Sequence, residues 1–198
     1  MFTVGKEKLD QLGAEITTRE IRQQPELWEE TLDHYQTVQK ELDNFLAIVK
    51  EKANGQRTRV IFTGAGTSQY VGDTLVPYLR KNGDRQAFSF ESIGTTDIVA
   101  EPEEYLIKEE PTLLVSFARS GNSPESLAAV EIANQVVDTI YHLSITCAVE
   151  GKLAQISQSD SNSFLFLMPA RSNDSGFAMT GSFSCMTLGA LLTFDQTV

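Results

Sequence analysis

The first fifty residues of the 198-residue chain place apolar side chains at helical spacing. Leucine, valine and aromatic residues recur every three or four positions from Leu27 to Val49, which predicts an amphipathic helix. Pro25 suits the first turn of a helix and Asn54-Gly55 suits its end, so the pattern predicts a helix between them. Residues 1–56 are therefore expected to form an N-terminal helical arm.

After Gly55 the pattern changes to short runs of apolar and β-branched residues, which predict strands. The five runs are Arg59–Thr63, Ala87–Ser92, Thr112–Ser116, Thr139–Ile145 and Phe164–Met168. Helices are predicted between them at Tyr70–Lys81, Pro124–Val137 and Lys152–Ser157. Because strands that are nearly all apolar need cover on both faces, residues 57–198 predict an α/β domain with a five-stranded parallel sheet flanked by helices.

The segment from Phe177 to Phe194 is small and apolar, and it predicts a helix with almost no polar face. A helix of this kind needs cover on all sides. We therefore expect either that the chain is a fragment of a longer protein or that this helix packs against another subunit, so that a homo-oligomer forms.

The charge balance excludes several classes of function. The chain has 27 acidic and 16 basic residues and a net charge of −11, which disfavours nucleic acid and anionic membranes as partners. No apolar run approaches the roughly 18 residues of a membrane span. Cys147 and Cys185 form no CxxC motif and have no histidine at metal-ligand spacing, so we expect reduced, buried thiols, no metal site and a cytoplasmic protein.

A glycine turn joins the first predicted strand to the next helix, with the sequence Gly64-Ala65-Gly66-Thr67-Ser68-Gln69. Backbone N–H groups at a helix start, beside the Thr67 and Ser68 hydroxyls, suit an anion. A tight turn with Ser68 as the N-cap would have the same sequence. A dinucleotide site with Glu91 as the ribose-binding acid is a further alternative, which Gln69 at the position of the third glycine disfavours.

A second turn of the same kind follows the third predicted strand and reads Arg119-Ser120-Gly121-Asn122-Ser123 before Pro124. The carboxyl ends of neighbouring parallel strands lie at one edge of a sheet, so the two turns should form one pocket. Hydroxyl and N–H groups at this spacing suit the three oxygens of a phosphate monoester, and Arg119 adds a positive charge.

The two turns together resemble the phosphosugar-binding motif pair of the sugar isomerase (SIS) domain, as in glucosamine-6-phosphate synthase. The second motif of that family usually reads Ser-Gln-Ser-Gly-Glu-Thr, whereas Ala118, Arg119, Asn122 and Ser123 replace four of those residues here. The resemblance implies a flavodoxin-like three-layer fold, no cofactor, and phosphate binding by Gly66, Thr67, Ser68, Arg119, Ser120, Gly121, Asn122 and Ser123. Within the family, the sequence around these motifs is most similar to the tagatose-6-phosphate ketose/aldose isomerase group, also described as galactosamine-6-phosphate deaminase/isomerase.

That resemblance implies an enzyme that isomerises a phosphorylated hexose or amino sugar, with or without release of ammonia. The group has two SIS domains in tandem, and this chain matches only the first, so most acid–base residues are expected outside it. Asp174, in a polar loop after the fifth predicted strand, is the candidate base, and a loop or helix-capping role is the alternative. A non-catalytic SIS module that senses a phosphosugar is the alternative function. His142, within a predicted strand, is expected to be a core histidine.

Overall fold

The computed structural model describes residues 3–197, which form a parallel sheet between two layers of helices. The strands are β1 (Thr58–Thr63), β2 (Phe88–Ser92), β3 (Thr112–Ala118), β4 (Ile140–Thr146) and β5 (Ser163–Leu167). The helices are α1 (Lys6–Gln11), α2 (Glu15–Lys52), α3 (Thr67–Asn82), α4 (Thr95–Ala100), α5 (Pro102–Tyr105), α6 (Pro124–Val136), α7 (Lys152–Ser159) and α8 (Thr180–Phe194), with a 3-10 turn at Ala170–Ser172.

The sheet has the strand order β2-β1-β3-β4-β5, and every neighbouring pair is parallel. Strands β1 and β3 are fully buried, as their continuous apolar sequences predicted. Helices α2, α3 and α8 cover one face of the sheet, and α4, α6 and α7 cover the other. The predicted five-stranded, three-layer α/β fold is confirmed, and the polar turns after β1 and β3 lie at the same edge of the sheet.

The predicted start of the long helix at Pro25 is wrong. Helix α2 begins at Glu15 and continues through Pro25, because buried side chains on both sides of the proline, Glu20 and Leu27 among them, hold the segment against the domain. This packing outweighs the loss of one backbone hydrogen bond. The predicted end is confirmed, since Asn54 and Gly55 both have positive φ angles.

Helix α8 has more cover within the chain than its composition predicted. Its inner positions, Cys185, Met186, Ala190 and Phe194, are fully buried against α2, α3 and the sheet. Small residues permit this close approach: a side chain at Gly189 would touch Phe166 and Met168. The outer positions are half-buried, so the chain itself covers the inner face, and the expected cover from another subunit or a longer chain concerns the outer face alone.

The two cysteines, Cys147 and Cys185, are free and buried, as expected. Burial raises the pKa of Cys147 to about 12 and also raises that of Cys185. His142 is a core residue whose Nε2 lies 2.8 Å from Asn134 Oδ1, and burial lowers its pKa to about 4. Within residues 3–197, no helix is long and apolar enough to span a membrane.

Candidate ligand-binding site

A cavity of about 180 Å³ lies at the carboxyl ends of β1 and β3. It brings together most of the residues that the two polar turns predicted. Its lining consists of Ala65, Thr67, Ser68, Phe117, Ala118, Arg119, Ser120, Gly121, Ser123, Ser126 and Met179. The position agrees with the rule that parallel α/β sheets bind ligands beyond the carboxyl ends of their strands.

The turn after β1 contributes two free hydroxyl groups. Gly66 caps α3 with φ 57° and ψ −125°, a conformation that only glycine adopts without strain, and this places Thr67 at the first helical position. The hydroxyls of Thr67 and Ser68 have no hydrogen-bond partner among the described residues. The Ser68 N–H instead donates to the Ala65 carbonyl oxygen at 3.2 Å. The Thr67 and Ser68 hydroxyls are therefore available to donate hydrogen bonds to a ligand.

The turn after β3 and the first turn of α6 contribute three serines. The Ser120 hydroxyl is also unpartnered among residues 3–197, whereas Ser123 Oγ lies 2.7 Å from Ser126 Oγ. Ser126 is buried and lines the cavity, although it does not belong to the predicted phosphate-binding residues. The sequence pattern that indicates its place in the cavity is its position three residues after Ser123, because residues three apart lie on the same face of a helix.

Arg119 forms part of the cavity wall and also holds a loop. Its Nη1 donates to Asn173 Oδ1 at 3.2 Å and to the Asp174 carbonyl oxygen at 2.9 Å. No carboxylate in the described part of the chain forms an ion pair with it, so its positive charge is not neutralised. The guanidinium can therefore attract an anion while it fixes the loop that carries Met179 into the cavity.

Asn122 and Gly66 do not line the cavity, although both belong to the predicted phosphate-binding set. Asn122 Oδ1 accepts a hydrogen bond from the Lys152 N–H at 3.1 Å and so caps the amino end of α7. Gly66 forms the backbone turn that places Thr67 and Ser68 at the start of α3. Both residues therefore shape the turns that carry the serines and do not themselves line the cavity.

Asp174 is only 1% exposed, and both oxygens of its carboxylate contact the start of α8. Oδ1 accepts from the Gly181 N–H at 3.0 Å, and Oδ2 accepts from the N–H and hydroxyl of Ser182 at 2.7 Å and 2.6 Å. These contacts are those of a helix cap. Asp174 does not line the cavity, and none of the described lining residues carries a carboxylate or an imidazole. The cavity can therefore bind an anion but contains no general base.

The residues that a dinucleotide site would need have other partners. Both carboxylate oxygens of Glu91 accept from Arg59, at 3.0 Å and 2.9 Å, so the predicted ribose-binding acid is part of an ion pair. The Gln69 side chain occupies the space beside Gly94. Both contacts disfavour the nicotinamide alternative.

Comparisons with known proteins identify relatives of this chain. No family model matches the chain. The chain is 45% identical over 188 residues to D-galactosamine-6-phosphate deaminase AgaS of Shewanella sp. (strain ANA-3), a match that covers 95% of this chain and 48% of that relative. It is 44% identical to the solved tagatose-6-phosphate ketose/aldose isomerase from Escherichia coli, with a TM-score of 0.82 over 89% of this chain and 46% of the other.

The parallel sheet order and the hydroxyl-lined cavity at the carboxyl edge of the sheet define an SIS-type α/β domain. The chain belongs to the sugar isomerase (SIS) family. The C-terminal domain of glucosamine-fructose-6-phosphate aminotransferase from Francisella tularensis, with a TM-score of 0.66 at 17% identity, shares the fold. The chain spans about half the length of the curated relatives it matches.

Proposed function

We propose that the chain is the phosphate-binding domain of an enzyme that isomerises and deaminates D-galactosamine 6-phosphate to tagatose 6-phosphate. The observation that carries this proposal is the convergence of free hydroxyls from the β1 and β3 turns, together with the Arg119 charge, on one small cavity. The substrate follows from the names of relatives that are 45% identical over nearly the whole chain. No finding favours the alternative of a regulatory phosphosugar sensor.

In this reaction a base removes the proton at C2 of the open-chain amino sugar, which gives an enolamine across C1 and C2. Protonation at C1 then gives a 2-imine, and water hydrolyses it to the ketose and ammonia. Ser68, Ser120 and Ser123, with Thr67 and Arg119, would hold the phosphate at C6. Binding at this remote end orients C1 and C2 toward the base. We propose that the base comes from outside the cavity lining, since Asp174 is occupied as a helix cap.

A second copy of the chain, or further residues of a longer protein, would supply that base. We therefore propose a homo-oligomer in which the half-buried outer face of α8 is covered. We also propose that the protein acts in the cytoplasm, because phosphorylated sugars are metabolised there and the two buried free thiols suit a reducing compartment.

Calorimetric titration of the wild type with galactosamine 6-phosphate and with galactosamine tests the binding site. We expect measurable affinity only for the phosphorylated sugar. Ser120→Ala should weaken binding by roughly 10- to 150-fold, which corresponds to the loss of one charge-assisted hydrogen bond of about 1.5–3 kcal/mol. Ser159→Ala is the matched control, because Ser159 is exposed and its hydroxyl contacts only the Ile156 carbonyl oxygen.

Equal affinity of the wild type for the two sugars would remove the phosphate-binding proposal. A coupled assay for ammonia and for the ketose tests the reaction itself. The absence of both ammonia and ketose from galactosamine 6-phosphate at every protein concentration would contradict deamination by an oligomer of this chain.

A further inference from the structure

A second cavity, of about 390 Å³, lies beside the edge strand β2 and is lined by three arginines. Its lining consists of Arg57, Arg80, Arg85, Phe88, Ser89, Phe90 and Glu91. Arg57 precedes β1 and Arg85 precedes β2, so the cavity lies near the amino ends of these strands. A six-residue strand spans about 20 Å, and β1 therefore separates this cavity from the serine-lined cavity at its other end.

None of the three arginines pairs with an acidic side chain in the part of the chain that the structure describes. Arg57 and Arg85 form no hydrogen bond or ion pair with any described residue, and Arg80 uses only Nε, which donates to the Phe90 carbonyl oxygen at 3.0 Å. The one acid in the lining, Glu91, directs both oxygens to Arg59. Three guanidinium groups are thus left uncompensated around one cavity, in a chain whose 27 acidic residues outnumber its 16 basic ones.

The edge of β2 favours a compact ligand over an added strand. The Arg80 side chain covers the Phe90 carbonyl oxygen, an acceptor that a pairing strand would need. The Ser89 hydroxyl has no partner among residues 3–197 and supplies a further donor at the cavity. Guanidinium groups bind planar pairs of oxygens, and several of them together match an oxyanion with more than one negative charge.

We propose that Arg57, Arg80 and Arg85 form a second anion site, which binds a phosphate-bearing small molecule with at least two negative charges. The site shares no residue with the serine-lined cavity, so it does not depend on the proposed enzymatic function. A free phosphate, a pyrophosphate and a phosphorylated metabolite share this chemistry.

Calorimetric titration with inorganic phosphate and with pyrophosphate tests the proposal. The wild type should bind two anions per chain, one in each cavity. Arg57→Gln/Arg85→Gln should weaken the arginine site at least tenfold for either probe and leave the serine site unchanged. Ser120→Ala/Ser123→Ala should weaken the serine site at least tenfold and leave the arginine site unchanged. Titration of the arginine variant with galactosamine 6-phosphate then shows which cavity the sugar phosphate prefers.

Lys52→Gln/Lys81→Gln is the control, because it removes the same net charge from two exposed positions that do not line the cavity. This variant should retain both sites. A single anion per wild-type chain whose affinity falls in the serine variant and not in the arginine variant would overturn the proposal. Equal weakening in the lysine and arginine variants would also overturn it, because it would show a general charge effect. Tighter binding of an acidic peptide than of pyrophosphate would overturn the small-molecule assignment.

Discussion

The substitution Asp174→Asn distinguishes a capping role from a catalytic role for Asp174, the candidate base predicted from the sequence. The substitution keeps the size of the side chain and removes its charge. In the native structure Asp174 accepts three hydrogen bonds from Gly181 and Ser182, with both oxygens in use. Asparagine has one acceptor oxygen, so its NH₂ group must face a backbone N–H or the serine hydroxyl.

The cost can be worked from these contacts. A hydrogen bond to a charged group contributes about 1.5–3 kcal/mol, and a buried N–H left without a partner costs about 1–3 kcal/mol. The lost charge at the amino end of α8 adds about 0.3–1 kcal/mol. Because these effects overlap, we expect a loss of about 3 kcal/mol in the free energy of unfolding. For a domain of this size that lowers the Tm by about 6–12 °C.

Thermal and urea denaturation, followed by circular dichroism, measure this loss. Asp138→Asn is the control, since Asp138 is exposed and its side chain has no contact among the described residues; its Tm should stay near that of the wild type. Affinity for the phosphorylated sugar should persist in Asp174→Asn at temperatures where the variant is folded. An unchanged Tm with lost turnover would refute the capping argument and make Asp174 the base.

Three further predictions concern the surroundings of the site and the core. In Gly151→Ala, the added Cβ would collide with the Ser120 carbonyl oxygen and displace the β3 turn, so phosphosugar affinity should fall, whereas Gly5→Ala, in open space, should leave it unchanged. The pKa of His142 is about 4 when folded and about 6.5 when unfolded, so the unfolded state binds more protons between these values. Stability should therefore fall as the pH drops from 6.5 to 4, by up to about 3 kcal/mol, and His142→Gln should flatten that part of the urea-denaturation profile. Cys147 and Cys185 should react with a thiol reagent only after unfolding, because both are buried with raised pKa values, and rapid native labelling would contradict this.

The sheet could be predicted because its signal is local. The strands are short runs rich in apolar and β-branched residues, and the five predicted strands match the observed ones to within two residues at each end. The start of α2 could not be predicted in the same way. Pro25 is a strong local signal for a helix start, but the burial of Glu20 and Leu27 against the domain decides the outcome, and such burial depends on residues distant in sequence.

In the site, too, some residues could be predicted from local sequence and others depend on tertiary packing. The hydroxyls of Thr67, Ser68 and Ser120 follow from turn chemistry, and all three line the cavity. The neighbours of Asn122 and Asp174 are elements reached through tertiary packing, namely the amino ends of α7 and α8. A polar residue in a loop has the same sequence signature whether it meets a ligand or a helix end. Only the fold distinguishes the two.

The loop at residues 173–179 explains how a binding cavity can be preformed in this chain. Arg119 holds it from the β3 turn, Asp174 anchors it to α8, and the buried Glu20 of α2 accepts hydrogen bonds from Ser175 and Gly176. The β3 turn and α2, which are distant in sequence, together with the adjacent α8, thus position Met179 against the serine turns. All of these contacts fix geometry, and none presents a free base to the cavity. In the proposed function, substrate binding and proton transfer would therefore be carried by different parts of the structure, which is why the titrations test binding separately from turnover.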